Sequence, residues 1–325
     1  MPNPCSLGVD VGGTKIYAAV VDANNNIAGK AKTRVELSGN PQAIASQVKV
    51  AADEALRVCG MRLEDINDIG IALPSSIDPV TGDCVHAPNL GLKNFSVKEH
   101  FKKLFGRDDI FLGNDGNCGI LGEYYFGAAR GFKSAAGYFV GTGLGGGIII
   151  NGKLLTGNGG IAGELGHATI KYNGAKCGCG KRGCIEAYAS KTGFVRALKK
   201  EILGKSLDSE LAGLIDRKTM NIPSKQLAKA YEKGDRAVRL ILDKGMMKLG
   251  AAAASLSAVI APDCIVFGGG VMESMGEALM PAVLMGFREN LFGISPEKIE
   301  LRLSELMDFA VACGATVLAR KKGIV

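Results

Sequence analysis

Tryptophan is missing from this sequence, and aromatic residues make up only 6% of its 325 positions. No stretch interleaves aromatic with basic side chains, so the stacking platform of a single-strand nucleic-acid binder is not there. Long apolar runs are also missing. The longest, GAAAASLSAVIAP, falls short of the roughly 20 residues that cross a bilayer. The opening MPNPCSLGVDVGG has no basic segment followed by an apolar one, so no secretory signal is visible and a cytoplasmic protein is expected, with neither membrane nor nucleic acid as partner. Two motifs are absent as well. Without C-x-x-C there is no thioredoxin-type redox pair, and without G-x-x-x-x-G-K-[ST] there is no Walker loop.

What is present is an ordinary globular composition, 47% hydrophobic and 22% charged, in a chain long enough for two domains. The formal charge of +7 is spread along stretches such as RALKKEILGK and YEKGDRAVR. That pattern suits solvated helix faces, and a mild positive excess helps gather an anionic substrate. Nine cysteines in a reducing compartment are expected to stay out of disulfides. Glycine is the outlier, with 46 residues clustered at the ends of apolar runs, where the backbone turns tightly or approaches a ligand.

Residues 6–11, 16–22 and 27–35 read as three strands separated by GGTK and ANNN. A helix follows from about Pro41 to Cys59, with Pro near its start and Gly60 beyond its end. INDIGIALP reads as a buried strand and GDCVHAPNLGLKN as a polar loop. SAAGYFVGTGLGGGIIINGKLL then repeats the opening plan, with an Asn-Gly turn at Asn151-Gly152. Such a duplication implies two related lobes, each offering a glycine turn to a shared cleft. Helices are expected over 185–203 and 235–260, a strand at DCIVFGGGV, and a terminal helix closed by Gly323. The fold class is α/β.

Three glycine turns qualify as phosphate cradles, because consecutive backbone N–H groups form an anion nest. They are Asp10, Gly12, Gly13, Thr14 and Lys15 in DVGGTK; Gly141, Thr142 and Gly143 in GTGLGGG; and Gly268, Gly269 and Gly270. A carboxylate, a hydroxyl and an ammonium around the first turn are what Mg2+-nucleotide binding asks for. Any one of these turns alone could equally be a plain hairpin. GTGLGG matches G-x-G-x-x-G literally, but a dinucleotide fingerprint opens a helix, and IIINGKLL reads as a hairpin.

HATIKYNGAKCGCGKRGCIE offers His167, Cys177, Cys179 and Cys184, a complete tetrahedral zinc shell and therefore a structural one; unliganded thiols are the alternative. Glu164 and Glu186 flank this set. Pinned by a metal, the two carboxylates would suit a polyhydroxyl ligand; unpinned, they are solvated loop residues. In IFLGNDGNCG, Asp115 follows a strand and precedes a helix starting near Asn117, so it is either a base for an attacking hydroxyl or a cap on that helix.

DVGGTK, GTGLGGG, E-L-G-H and C-G-C-G-K-R-G-C-I-E stand in the order of the ROK family, and the whole chain resembles those bacterial sugar kinases and sugar-responsive repressors. The resemblance is strongest to the glucokinases. It implies a two-lobed actin-like, hexokinase-like (ribonuclease H-like) fold around a cleft. The expected small lobe is 1–115 with a terminal helix at about 309–325, and the large lobe is 116–308 with its zinc loop at 167–186. It further implies Asp115 as general base and Asn89, Asn114, Glu164, His167 and Glu186 as sugar contacts, with His167 serving zinc as well. Asp10, Gly12, Gly13, Thr14, Thr142, Gly143 and Gly269 would hold Mg-ATP in what is commonly a dimer. One departure stands out: the family usually has Pro-Gly where this chain has Ser75-Ser76, which sets two hydroxyls by the expected sugar loop.

The expected function is therefore an ATP-dependent kinase for the 6-hydroxyl of an aldohexose, glucose first, with zinc structural, Mg2+ on the phosphates and lobe closure excluding water. N-acetylmannosamine, N-acetylglucosamine, allose and fructose are the alternative substrates. A repressor would carry a helix-turn-helix before the first glycine turn, and only nine residues precede Asp10. A nicotinamide enzyme would need the missing helix after GTGLGG.

Overall fold

The computed structural model describes residues 5–35, 41–78, 81–86, 96–204, 207–215, 218 and 221–323. In chain order the elements are β1 (Cys5–Val11), β2 (Lys15–Val21), β3 (Ile27–Arg34), α1 (Pro41–Val58), β4 (Ile66–Leu73), β5 (Ser76–Ile77), β6 (Cys84–His86), α2 (Val97–Phe105), β7 (Ile110–Asn114) and α3 (Asp115–Phe126). They continue with β8 (Ala135–Val140), β9 (Leu144–Ile150), β10 (Lys153–Leu154), α4 (Lys191–Leu203), α5 (Ser224–Glu232), α6 (Arg236–Ile260), β11 (Cys264–Gly268), α7 (Gly270–Asn290), β12 (Glu300–Leu303) and α8 (Ala310–Arg320). Among the described residues no helix is long and apolar enough to cross a membrane.

Two five-stranded mixed sheets carry the fold, in the orders β3-β2-β1-β4-β7 and β10-β9-β8-β11-β12. Both follow one plan. In the first, the β1–β2–β3 meander pairs antiparallel and β4 and β7 add in parallel. In the second, β10 pairs antiparallel with β9, and β11 runs parallel to β12. The duplication expected from the glycine turns is thus a duplication of whole sheets. Asn151 and Gly152, at φ 51° and 77°, make the tight β9–β10 turn that only residues tolerant of positive φ can adopt.

The chain forms two compact units, one of residues 1–135, 147–163 and 305–325 and the other of 136–146 and 164–304. Contacts thus place 116–135, including α3, in the unit that holds the N-terminal sheet, not with the large lobe expected from sequence. The reason is α8, which α3 packs against inside that unit. A Cβ on Gly314 would lie 1.7 Å from the Cys118 carbonyl oxygen, and one on Gly70 would lie 1.9 Å from that of Ala315, so glycine lets α8 meet both α3 and β4 backbone to backbone. On the opposite face of the sheet, Ile44, Val48, Ala51 and Ala55 of α1 bury Leu7, Val9 and Val20. In the second unit α6 and α7 pack as a pair.

Glu123 of α3 is fully buried and accepts from Ala128 N at 2.8 Å, Glu305 N at 3.2 Å and Leu306 N at 3.1 Å. It ties the entry of α8 to α3. Removing it leaves these backbone donors without their acceptor. Glu123→Ala is expected to lower stability by about 2–4 kcal/mol in urea unfolding. A change within ~0.5 kcal/mol would mean that the carboxylate carries no such role.

Candidate active site

Asp115 does not cap α3. That work falls to Asn114, whose Oδ1 accepts from Asn117 N at 3.0 Å, so the helix begins at Asp115 and not near Asn117. Asn114 Nδ2 also donates to Ser75 O at 3.3 Å. Asp115, half-buried, accepts from the adjacent Gly116 N at 2.8 Å. Asp10 stands one residue before the end of β1 in the same unit. Burial first, then the like charges of Asp115 and Asp308, raises its carboxyl well above the usual carboxylate range. The turn after it exposes Gly13, Thr14 and Lys15, with Gly12 N closing on Lys15 O at 3.0 Å. Lys15 Nζ lies 6.0 Å over the Tyr17 ring.

Ser75 is only 6% exposed, with its hydroxyl 3.0 Å from Ser76 O and 2.9 Å from Cys84 Sγ. It is therefore turned into the fold. Asn89 lies outside the described residues.

The second unit gathers most of the other candidates. Gly269, at φ +85°, sits where a Cβ would meet Val140 N at 2.7 Å, so Gly268–Gly270 lies beside the start of the Gly141–Gly143 turn. Gly270 begins α7, so the third glycine turn aims a helix N-terminus, with its unpaired N–H groups, at whatever the turn holds. Glu186 bridges to the other turn. Its Oε2 accepts from Leu144 N at 3.0 Å and its Oε1 from Cys177 Sγ at 3.1 Å. Gly143 makes room for this, since a Cβ there would stand 2.5 Å from Oε2. The carbonyl of Leu144 faces Gly166, where a Cβ would approach it to 1.9 Å, so the Glu164–His167 turn seats directly on the same residue.

Cys177, Cys179, Cys184 and His167 place one ligand atom each within 4.8 Å of one another. Cys179 and Cys184 sulfurs are 3.7 Å apart, and Cys177 Sγ is 3.8 Å from His167 Nδ1. A disulfide would need about 2.05 Å, and no disulfide joins any of the nine cysteines. Four ligands at ~2.0–2.3 Å from a tetrahedral centre stand about 3.5–3.8 Å apart, so this set fits zinc. The loop is shaped by bridges between Thr169 and Cys184 and between Lys176 and Arg182, with Cys177 N bonded to Lys181 O at 2.8 Å. Burial raises the Cys177 thiol well above its ordinary value. For Cys179 burial acts the same way, but hydrogen bonds from Lys181 N and the neighbouring thiols outweigh it and hold that thiol low.

A model of the ROK family matches residues 6–322. The chain belongs to the ROK family. This ROK protein is 35% identical over 282 residues to a glucokinase of Thermotoga maritima, covering 86% of each chain. It is 32% identical over 317 residues to a glucokinase of Halalkalibacterium halodurans, covering 97% of this chain and 95% of that one. Among solved structures, a ROK family glucokinase from Streptomyces griseus in complex with glucose and AMPPNP matches with a TM-score of 0.82 at 30% identity, over 98% of this chain and 99% of that one. The two-lobed α/β fold of the ROK hexokinases is thus the fold of this protein.

Two features of this ROK chain were not visible in its motifs. Helix α4 starts at Lys191, not 185, because Cys184 is held in the loop ladder and Glu186 lies in a 3-10 turn, Ile185–Ala187, ahead of the Ser190 cap. Thr192 in its first turn bonds Thr142 O through both N, at 3.2 Å, and Oγ1, at 2.7 Å. No spacing rule links residues 50 apart, and the Ser-x-x-Gly cap was the one local sign that the helix begins late.

Proposed function

We propose that this ROK protein is an ATP-dependent hexose kinase acting on the 6-hydroxyl of an aldohexose, with glucose the preferred substrate. The observation that carries the reading is Glu186, a carboxylate fixed at both oxygens between the Cys/His loop and a glycine turn, in a chain similar to glucokinases over nearly its whole length. Fixed carboxylates accept hydrogen bonds from sugar hydroxyls in set directions. Glu164, His167, Glu186, Asn114 and Asn89 bind the hexose. His167 turns Nδ1 to the thiols, which leaves Nε2 for a hydroxyl.

Asp115 accepts the proton of the attacking hydroxyl. Asp10, Gly12, Gly13, Thr14, Lys15, Gly141, Thr142, Gly143 and Gly268–Gly270 hold the nucleotide, since their turns present backbone N–H groups to phosphate. Asp10 suits Mg2+, because burial and like charge disfavour its ionised form and a divalent cation reverses that. Mg2+, when bound, neutralises phosphate charge. Zinc orders the 167–186 loop. The protein works in the cytoplasm, as a homodimer that sedimentation would reveal.

A coupled assay of ADP release over glucose, mannose, allose, fructose and the N-acetylated hexosamines tests the substrate. Glucose is expected to give the highest kcat/KM. A preference of ~10-fold or more for another sugar reassigns the substrate, and no ADP release with any hexose overturns the kinase reading. Gly143→Ala puts a methyl where Glu186 Oε2 stands. It is expected to raise the hexose KM by about 10-fold or more, and an unchanged KM would detach Glu186 from hexose binding.

A further inference from the structure

Four hydrogen bonds run from residues 186–192 to the turn at 141–144. Leu144 N donates to Glu186 Oε2 at 3.0 Å, Lys191 N donates to Gly141 O at 3.0 Å, and Thr192 donates to Thr142 O from its N at 3.2 Å and its Oγ1 at 2.7 Å. The intervening residues have no slack. Tyr188 N and Ala189 N both bond Ile185 O, and Ser190 Oγ caps α4 by accepting from Gly193 N at 3.1 Å. The turn itself is closed by Gly141 N on Gly143 O at 2.9 Å. Turn and carboxylate therefore move together or not at all.

We propose that Thr192 is a positioning residue for phosphoryl transfer: it locks the Gly141–Leu144 turn to the segment carrying Glu186, and so makes nucleotide binding and hexose binding mutually dependent. This rests on the reading that the turn holds phosphates and that Glu186 binds the hexose. The Thr192 hydroxyl is the one side-chain donor in the link, with the other three bonds donated by backbone N–H groups. A nucleotide that settles the turn also settles Leu144 N–H, and with it the Glu186 carboxylate. By linkage the hexose must improve nucleotide affinity by the same factor. Thr192 touches neither reactant in this account and acts through Thr142 and Glu186.

Titration calorimetry of glucose, with and without saturating AMPPNP, tests this on the full chain, its Thr192→Ser and Thr192→Val variants, and Glu186→Gln. The unsubstituted protein is expected to bind glucose at least ~5-fold tighter with the nucleotide present. Thr192→Ser keeps the hydroxyl and should keep that ratio. Thr192→Val should lower that ratio and raise the hexose KM more than it lowers kcat, with little change in thermal midpoint. A Thr192→Val protein with the full ratio, or an unsubstituted protein whose glucose affinity ignores AMPPNP, overturns the proposal. Glu186→Gln separates the two claims: undiminished glucose affinity there removes the hexose role of Glu186 itself, whereas lost affinity there beside an intact ratio in Thr192→Val removes only the coupling.

Discussion

Asp115→Asn is expected to lower kcat by about 10²–10⁴ while glucose and ATP bind within a few-fold of their usual affinity. The structure makes this a clean substitution. Asn114 caps α3, so position 115 has no cap to lose. An asparagine Oδ1 can still accept from Gly116 N, the bond Asp115 Oδ1 makes at 2.8 Å. What disappears is the negative charge and the capacity to take a proton. The loss in rate corresponds to about 3–5 kcal/mol of barrier. Thermal unfolding should be unchanged or slightly improved, because a like charge next to Asp10 is removed. Pre-steady-state turnover with calorimetric Kd values decides the matter. A variant keeping more than about a tenth of kcat would show that Asp115 is not the base.

Cys179→Ala is expected to release the metal, lower the thermal midpoint and weaken glucose binding by about 10-fold or more, with ATP affinity changed far less. Cys179 is exposed, so the substitution opens no core cavity, and its effect reports the ligand alone. The sensitivity of the sugar site follows from contact. Cys177 of the same cluster lies against Glu186 Oε1, and His167 is at once a cluster member and a proposed hexose ligand. Each kcal/mol lost should lower the midpoint by about 1–2 °C in a protein of this size. Elemental analysis should fall from about one zinc per chain to none. A zinc-free variant with full glucose affinity would remove the scaffold role of the loop, and a parent protein with no zinc would remove the metal assignment.

Features written in adjacent residues could be read from the sequence. The β1–β2 and β9–β10 turns, α6 with its Asp235 cap and the Cys/His cluster each depend on a few neighbouring side chains, so spacing suffices. The errors share another cause. Asn114 and Asp115 are both good caps, and only the Ser75 carbonyl, brought in by the fold, shows Asn114 already held there. The start of α4 depended on how tightly the cysteine loop holds Cys184. That folding sets Cys84 against the Ser75 hydroxyl was likewise unreadable from spacing. The link from Thr192 is accepted by the Thr142 backbone carbonyl, and backbone groups carry no residue-type signature. Glu123 was equally silent, because a glutamate in a helix is ordinarily solvated.

Arg320, near the end of α8, donates to Ser6 Oγ, Asn25 Oδ1, Val21 O and Asp22 O at 2.8–2.9 Å, so the last helix is sewn to the first hairpin. Between 295 and 314 residues separate these partners in the order of synthesis. The N-terminal sheet emerges early and must wait, its α8-facing side bare, until α8 itself has been translated, whereas residues 164–304 are already out and able to settle. Nascent chains stalled before α8 should therefore hold a finished second unit and an unfinished first one, and it is the first that chaperones would have to shield.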